Sequence, residues 1–294
     1  GLGDVYKRQA MTALRCRSQL VTCKENRMLY VSLGAWCQVA QQLKNHAKES
    51  FVSSAFDWTV SSLKSVPRII DTDGDNFCEG LTLSKPSNSL TCDTYGILYH
   101  HEFKRDENNE SFWTDEVRDD AKSKLTHKHK SMSARIRSTD QCVTFVRFGG
   151  HAEPLVAWPY SKDHAEVAAD ELNAVAASIE KQFPDLAFRI LFVTCPTAHF
   201  FKVDENKLDP RIWNVEMRHR HGIDWSGSSD DWAEVIARIP KTFEKLSADS
   251  PRKESPFTDI EDHFDMLDIF TKAQIEAVNR IVEKKVQATL KENG

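Results

Sequence analysis

The feature that most constrains the fold is a pair of continuous apolar segments separated by a segment with helical periodicity. Cys142–Phe148 and Phe188–Thr194 are near-continuous runs of branched and aromatic side chains, as in strands that are covered on both faces of a sheet. Between them, residues 163–183 repeat apolar side chains at helical spacing. A strand, a crossover helix and a second strand form a βαβ unit with parallel strands. The pattern therefore predicts an α/β fold with a largely parallel sheet.

A second segment, residues 29–43, predicts a short buried strand, a tight turn at Gly34 and a helix that begins at Cys37. Backbone N–H groups in the first turn of a helix lack partners, and the helix dipole favours negative charge there. A thiol at Cys37 is therefore expected to ionise more easily and to act as a nucleophile. The alternative is a small buried side chain in the core, since free cysteine is among the most buried residue types.

The length of the chain, 294 residues, suits one large domain with appendages. We predict a single three-layer domain over residues 28–248, with helices on both faces of the sheet. Residues 249–294 predict a linker and a C-terminal amphipathic helix that docks on the core or on a partner. Residues 1–27 are expected to be an adaptor-derived scar and an unstructured extension, because residues 4–9 match the translation of a sequencing adaptor.

Composition argues against several classes of function. The 44 acidic and 39 basic residues are evenly spread, with a formal net charge of −5, so no basic face for nucleic acid is expected. No apolar run approaches the roughly 18 residues that a membrane span needs. The seven cysteines include no C-x-x-C pair, which predicts reduced thiols, no zinc site and a cytoplasmic location. We therefore expect no cofactor, no metal, no nucleic acid and no membrane partner.

A strand predicted over residues 95–103 carries a candidate base. Alternation places His101 on the same face as Ile97 and Phe103, with Glu102 on the opposite face. His101 is then either a core histidine with a backbone partner or a base whose pKa is tuned by partial burial.

An acidic tripeptide offers a different kind of site. Asp71-Thr72-Asp73 follows a helix predicted over residues 59–70 and matches the D-x-D by which many glycosyltransferases hold a metal and a sugar nucleotide. The tripeptide is common by chance, and a solvated loop at the end of a helix is the favoured interpretation.

Three ordered motifs connect the chain to a known family. They are Ser32-Leu33-Gly34-x-x-Cys37, Phe56-Asp57-Trp58 and Tyr95-Gly96-Ile97-x-Tyr99-x-His101-Glu102-Phe103. With the apolar strand that ends in Val146-Arg147, they resemble a microbial and viral family described as "putative papain-like cysteine peptidases" of otherwise unknown function, over roughly residues 28–195. The resemblance implies an alternative fold, α+β and papain-like.

The resemblance also implies a set of catalytic residues. It makes Cys37 the nucleophile and His101 the base that takes its proton. A carboxylate, Asp57 or Glu102, would orient the imidazole, and Asp57 is preferred because Glu102 is predicted to project away from His101.

Three functions stay open on the sequence. The first is a cysteine peptidase or a related thiol-dependent acyl hydrolase or transferase, acting on a peptide or acyl-type substrate through a thioester on Cys37. The second is a nucleotide-sugar or glycan-processing enzyme on a doubly wound sheet, with its ligand near Gly34 and Gly149-Gly150. The third is a non-catalytic interaction module that uses the C-terminal helix.

Overall fold

The computed structural model describes residues 28–84, 87–99, 101–149, 169–194, 203–217 and 226–257. Within these ranges the chain forms a five-stranded parallel sheet, sheet A, and a four-stranded antiparallel sheet, sheet B. The elements in chain order are β1 (Met28–Ser32), α1 (Cys37–His46), β2 (Phe51–Val52), β3 (Thr59–Ser61), α2 (Ser65–Asp71), β4 (Leu81–Ser84), β5 (Ser89–Cys92), β6 (Ile97–Tyr99), α3 (Asp115–Arg137), β7 (Cys142–Phe148), α4 (Ala169–Gln182), β8 (Phe188–Thr194), β9 (Ile212–Glu216) and α5 (Ser229–Arg238).

Sheet A confirms the predicted parallel sheet. Its strand order is β2-β1-β7-β8-β9, and β7 pairs with β8 in parallel, with Val143 opposite Phe188 and Phe148 opposite Val193. Every residue of β7 and β8 is buried. The two strands are mostly apolar because neither face of the sheet meets solvent there.

The strand order of sheet A reverses between β1 and β7, since β2 lies on one side of β1 and the later strands lie on the other. Doubly wound folds with the order 2-1-3-4-5 bind ligands at this reversal, outside the carboxyl ends of the strands. Leu33 donates its N–H to Val146 at 2.8 Å, and Phe148 donates to the carbonyl of Gly34 at 3.2 Å. The turn that leads from β1 to Cys37 therefore lies at the switch point of the sheet.

Sheet B has the order β3-β6-β5-β4, and the sequence pattern predicted little of it. Strands β4 and β5 pair as an antiparallel hairpin, with Leu81 opposite Cys92 and Ser84 opposite Ser89. All four residues of β5 are buried although two of them, Ser89 and Thr91, are polar. Hydroxyl side chains in these short strands hide the apolar alternation on which strand prediction depends.

Two further boundaries in sheet B differ from expectation. Thr59–Ser61, predicted as the start of a helix, is β3 and pairs with β6, so the helix begins only at Ser65. The strand predicted over residues 95–103 is confined to Ile97–Tyr99. His101 therefore lies beyond the end of the strand, and the alternation that assigned it a face does not reach it.

Four of the five helices named above pack in pairs, α1 with α5 and α2 with α4, and α1 also contacts β1 and β7. Gln42 on α1 donates to the carbonyl of Ser226 at 2.6 Å, and His46 lies 3.1 Å from the hydroxyl of Ser229. Helix α5 ends at Arg238, because Pro240 cannot donate a backbone hydrogen bond to the helix. None of the described helices combines the length and apolar character that a bilayer crossing requires.

Residues 249–257, predicted as a linker, pack against β9. Arg252 donates hydrogen bonds to the carbonyls of Glu205 and Ile212. Phe257 is 3% exposed and meets Trp213 edge to face, with 6.2 Å between ring centroids. The C-terminal helix and the N-terminal extension that the sequence predicts lie outside the described residues.

Candidate active site

The turn between β1 and α1 requires glycine. Gly34 has a φ of +75°, and a Cβ there would lie 3.1 Å from the hydroxyl of Ser61 and 3.2 Å from the carbonyl of Phe56. Trp36, which precedes α1, has an extended backbone and gives no side-chain cap to the helix. Cys37 is thereby held at the first position of α1, at the carboxyl end of β1.

Cys37 carries a free and partly exposed thiol. Burial raises the pKa of this thiol to about 11, and the negative charge of Glu102 adds to the rise. A hydrogen bond from the backbone N–H of Cys37 lowers the pKa without offsetting the other effects. The start of the helix therefore favours ionisation, as expected, but burial and Glu102 outweigh it, and Cys37 is protonated at neutral pH.

The other described cysteines differ from Cys37. Cys78 and Cys92 are free but buried, and burial raises the pKa of Cys78 to about 12. Cys142 is disulfide-bonded, so the expectation of reduced thiols does not hold for that residue.

His101 is exposed, two residues after the end of β6. Its ring meets Trp58 edge to face, with centroids 5.7 Å apart and an angle of 87° between the planes. Partial burial, together with the nearby charge of Arg105, lowers the pKa of His101. The imidazole is therefore neutral at pH 7 and able to accept a proton.

Trp58 connects His101 with the helix that begins at Cys37. The Nζ atom of Lys44, on α1, lies 4.8 Å from the centroid of the Trp58 ring. Positions 37 and 44 are seven residues apart and so share one face of α1. The indole is therefore in contact both with a side chain of the Cys37-bearing helix and with the imidazole of His101.

Glu102 has an enclosed carboxyl group. Burial raises its pKa to about 7, and one oxygen accepts a hydrogen bond from the backbone N–H of His101 at 3.3 Å. The charge of Glu102 is also the largest charge effect on the thiol of Cys37. The carboxyl group of Glu102 thus lies close enough to Cys37 to act on its ionisation.

Asp57 is fully buried and its carboxylate is held by the turn that precedes it. The carboxylate accepts hydrogen bonds from the hydroxyl of Ser53 at 2.6 Å and from the backbone N–H and hydroxyl of Ser54 at 3.0 and 3.1 Å. Burial nevertheless raises the pKa of Asp57. The hydrogen bonds of the Asp57 carboxylate are thus made within its own turn.

Arg147 is a residue of the site to which sequence reasoning assigned no role. Its guanidinium is 1% exposed and donates to the carbonyl of Leu33 at 2.7 Å, to the hydroxyl of Ser61 at 2.9 Å and to the carbonyl of Ser61. Burial lowers its pKa to about 9. The sequence does offer one signal for Arg147, because it is the one charged residue in the buried strand β7.

The D-x-D tripeptide does not form a shared site. Asp71 accepts a hydrogen bond from Ser178 on α4 at 2.9 Å, whereas Asp73 accepts one from Ser133 on α3 at 3.2 Å. The two carboxylates therefore anchor different helices. In the described part of the chain, no group of three or more His, Cys, Asp or Glu residues is arranged to hold a metal ion.

These features define a class of protein: an α/β fold with a partly exposed cysteine at the switch point of a parallel sheet. Residues 28–198 match the family described as "Putative papain-like cysteine peptidase (DUF1796)". Because the match covers more than half of the 294 residues, the chain belongs to this family, as its three motifs predicted. Neither the curated proteins nor the solved structures include a match to the chain.

Proposed function

We propose that the protein is a cysteine peptidase or a related thiol-dependent acyl hydrolase or transferase, with Cys37 as nucleophile and His101 as base. Membership of the family supports the class of reaction. The observation that carries the residue assignment is the position of Trp58, which contacts both Lys44 of the Cys37 helix and the ring of His101. The charge effect of Glu102 on Cys37 supports the same proximity.

The directions of the pKa shifts favour proton transfer during attack over a preformed ion pair. Cys37 is a neutral thiol and His101 a neutral imidazole at pH 7. His101 takes the thiol proton as the sulfur forms a bond to the substrate carbonyl carbon, and N–H groups at the start of α1 are available to the oxyanion. The imidazolium then protonates the leaving group, which leaves a thioester on Cys37. Water, or an acceptor nucleophile in a transferase, releases the acyl group and restores the thiol.

The two carboxylates take different roles in this proposal. Asp57, the carboxylate preferred for orienting His101, acts as a positioning residue. The hydrogen bonds that it accepts from Ser53 and Ser54 fix the turn that presents Trp58 to His101. Glu102 acts on Cys37 through its charge.

Alkylation of Cys37 tests the pair. With iodoacetamide at pH 8, Cys37 should react faster than the buried thiols of Cys78 and Cys92, as followed by peptide mass spectrometry. His101→Ala should slow the reaction of Cys37 about tenfold or more, since base assistance is typically worth at least that much. His127→Ala, which removes an exposed imidazole on α3, is the matched control and should leave the rate unchanged. Equal rates for His101→Ala and the unchanged protein exclude His101 as the base.

A nucleotide-sugar or glycan-processing enzyme is the second candidate. The strand order of sheet A favours it, because the switch point between β1 and β7 is where doubly wound folds bind nucleotides. Asp71 and Asp73 give no support, since they bind different helices. A rise in melting temperature with nucleoside diphosphate sugars would favour this candidate, and the absence of a shift across a panel would exclude it.

A further inference from the structure

The geometry points to Arg147 as the residue that positions the thiol of Cys37 relative to the imidazole of His101. This inference rests on the proposed function, since it concerns the same pair. Cys37 follows a turn of sheet A, whereas His101 follows β6 of sheet B. The distance between them therefore depends on how the two sheets are joined at this point.

On the side of sheet A, Arg147 is hydrogen-bonded to the turn that precedes Cys37. Its Nη1 atom donates to the carbonyl of Leu33 at 2.7 Å, four residues before Cys37. The same atom would lie 3.5 Å from a Cβ on Gly34, so the guanidinium lies directly against this turn. Movement of the guanidinium would displace the start of α1.

On the side of sheet B, Arg147 is hydrogen-bonded to Ser61 on β3. Nη1 donates to the hydroxyl of Ser61 at 2.9 Å, and Nη2 donates to its carbonyl. Ser61 pairs with Ile97 of β6, and β6 ends two residues before His101. One guanidinium thus bonds both to the turn before Cys37 and to the strand that neighbours the segment of His101.

The need for a guanidinium follows from its surroundings. Among the described residues, the acceptors of Arg147 are two carbonyls and one hydroxyl, with no carboxylate, so the buried charge is costly for the fold. An apolar side chain would fill the space at lower cost. A planar group with several fixed donors can bond in two directions at once, which the single ammonium of lysine does less well. The arrangement therefore serves to fix geometry.

Arg189 provides a matched control within the same sheet. It is 3% exposed, donates to the carbonyl of Pro210 at 2.7 Å and lies over the ring of Trp213 at 4.5 Å. It pairs in register with Thr144, three residues before Arg147 and toward the amino ends of the strands. Arg189→Lys disturbs a buried guanidinium of sheet A without touching the turn of Cys37.

A double-mutant cycle on Cys37 alkylation tests the inference. Arg147→Lys should slow alkylation about tenfold when His101 is present and less than about twofold in the His101→Ala background, because coupled residues give non-additive effects. Arg189→Lys should change the rate less than about twofold in both backgrounds. Ser61→Ala, which removes one acceptor and keeps the carbonyl, should give a smaller loss with the same dependence on His101. Circular dichroism and thermal melts confirm that each variant is folded.

The outcomes separate the two proposals. Equal slowing by Arg147→Lys with and without His101 overturns the inference, since Arg147 would then act on the fold in general. If His101→Ala slows the alkylation of Cys37 but neither Arg147→Lys nor Ser61→Ala does, the inference is overturned and the proposed function stands. A rate that His101→Ala does not change overturns the proposed function and the positioning role together.

Discussion

Among single residues, Cys37 shows how burial and charge outweigh a helix terminus. The start of a helix stabilises a nearby negative charge by about 0.3–1 kcal/mol, which is less than one pKa unit. Burial and Glu102 act in the opposite direction, and the pKa of the thiol rises from 9.0 to about 11. The reactivity of Cys37 therefore depends on groups that remove its proton or remove the neighbouring charge.

Glu102→Gln tests the charge effect directly. Loss of the carboxylate should lower the pKa of Cys37 and raise its alkylation rate at pH 8 about three- to tenfold, the range expected for one nearby charge at the edge of a protein. The alkylation profile against pH should shift to lower pH. Glu79→Gln, which removes an exposed carboxylate paired with Lys122, is the control and should leave the profile in place. A slower or unchanged reaction in Glu102→Gln contradicts the assignment.

His129 is a second residue whose protonation is disfavoured in the folded protein. It is 1% exposed on α3, lies edge to face with Phe56 and Phe77, and has Nε2 3.5 Å from the carboxylate of Asp73. Burial lowers its pKa from 6.5 to about 4, despite the attraction of Asp73. Between these values the unfolded chain binds a proton at this position that the folded protein does not.

The effect of His129 on the free energy of unfolding should therefore depend on pH. Because the folded pKa is depressed, the contribution of His129 is present above pH 6.5 and is lost as the pH falls toward 4, by about 3 kcal/mol. Glu102, whose pKa is raised to about 7, acts in the opposite sense over the same range. Urea titrations of the protein and of His129→Gln should show a smaller acid loss in the variant. Parallel curves for the two proteins would contradict the prediction.

At the level of elements, the turn between β1 and α1 depends on close approach as well as on a positive φ. Gly34→Ala should cost the strain of a left-handed residue, about 1 kcal/mol, and an additional cost of contacts with Ser61 and Phe56. Gly80→Ala is the matched control, because Gly80 has a φ of +63° but its nearest neighbour would lie 3.4 Å from the Cβ. Denaturant melts should rank Gly34→Ala as the more destabilising change. Slower alkylation of Cys37 should accompany it, and equal losses in the two variants would contradict the role of close contact.

The elements that the sequence predicted well are those with strong periodicity. Cys142–Phe148 and Phe188–Thr194 were predicted because both faces are covered, so every position is buried and most are apolar. Sheet B was largely missed because its strands are three or four residues long and include buried serine and threonine. The strand of His101 was extended too far because alternation does not mark where a strand ends.

Only the part of the candidate site that is contiguous in sequence could be predicted. Strand, turn and helix around Cys37 are contiguous in sequence, and the motif predicts them. The contacts of Arg147 join residues 86 and 114 positions apart, which no local pattern reveals. Burial of Cys37 and Glu102 likewise depends on packing between the two sheets, so the sign of the shift in the thiol pKa could not be read from the sequence.

For the molecule as a whole, the edge strand β9 is protected by a segment remote from the site. Residues 249–257 contact β9 through Arg252 and Phe257. An uncovered edge strand exposes backbone groups to other chains, so such cover supports stability and solubility. The switch point, in contrast, lies between β1 and β7, on the far side of β8 from β9. Stability at this edge and reactivity at Cys37 should therefore be separable.

Phe257→Ala tests that separation. Removal of a buried phenylalanine that packs on Trp213 should cost about 3 kcal/mol and lower the melting temperature by about 5–10 °C. Phe112→Ala removes the same side chain from a position that is 42% exposed and should leave the melting temperature nearly unchanged. Both variants should alkylate Cys37 at the rate of the unchanged protein at 25 °C, because β8 and β7 stand between β9 and the turn. If Phe257→Ala slows Cys37 without loss of stability, the C-terminal segment acts on the site itself, and the separation of edge and site is wrong.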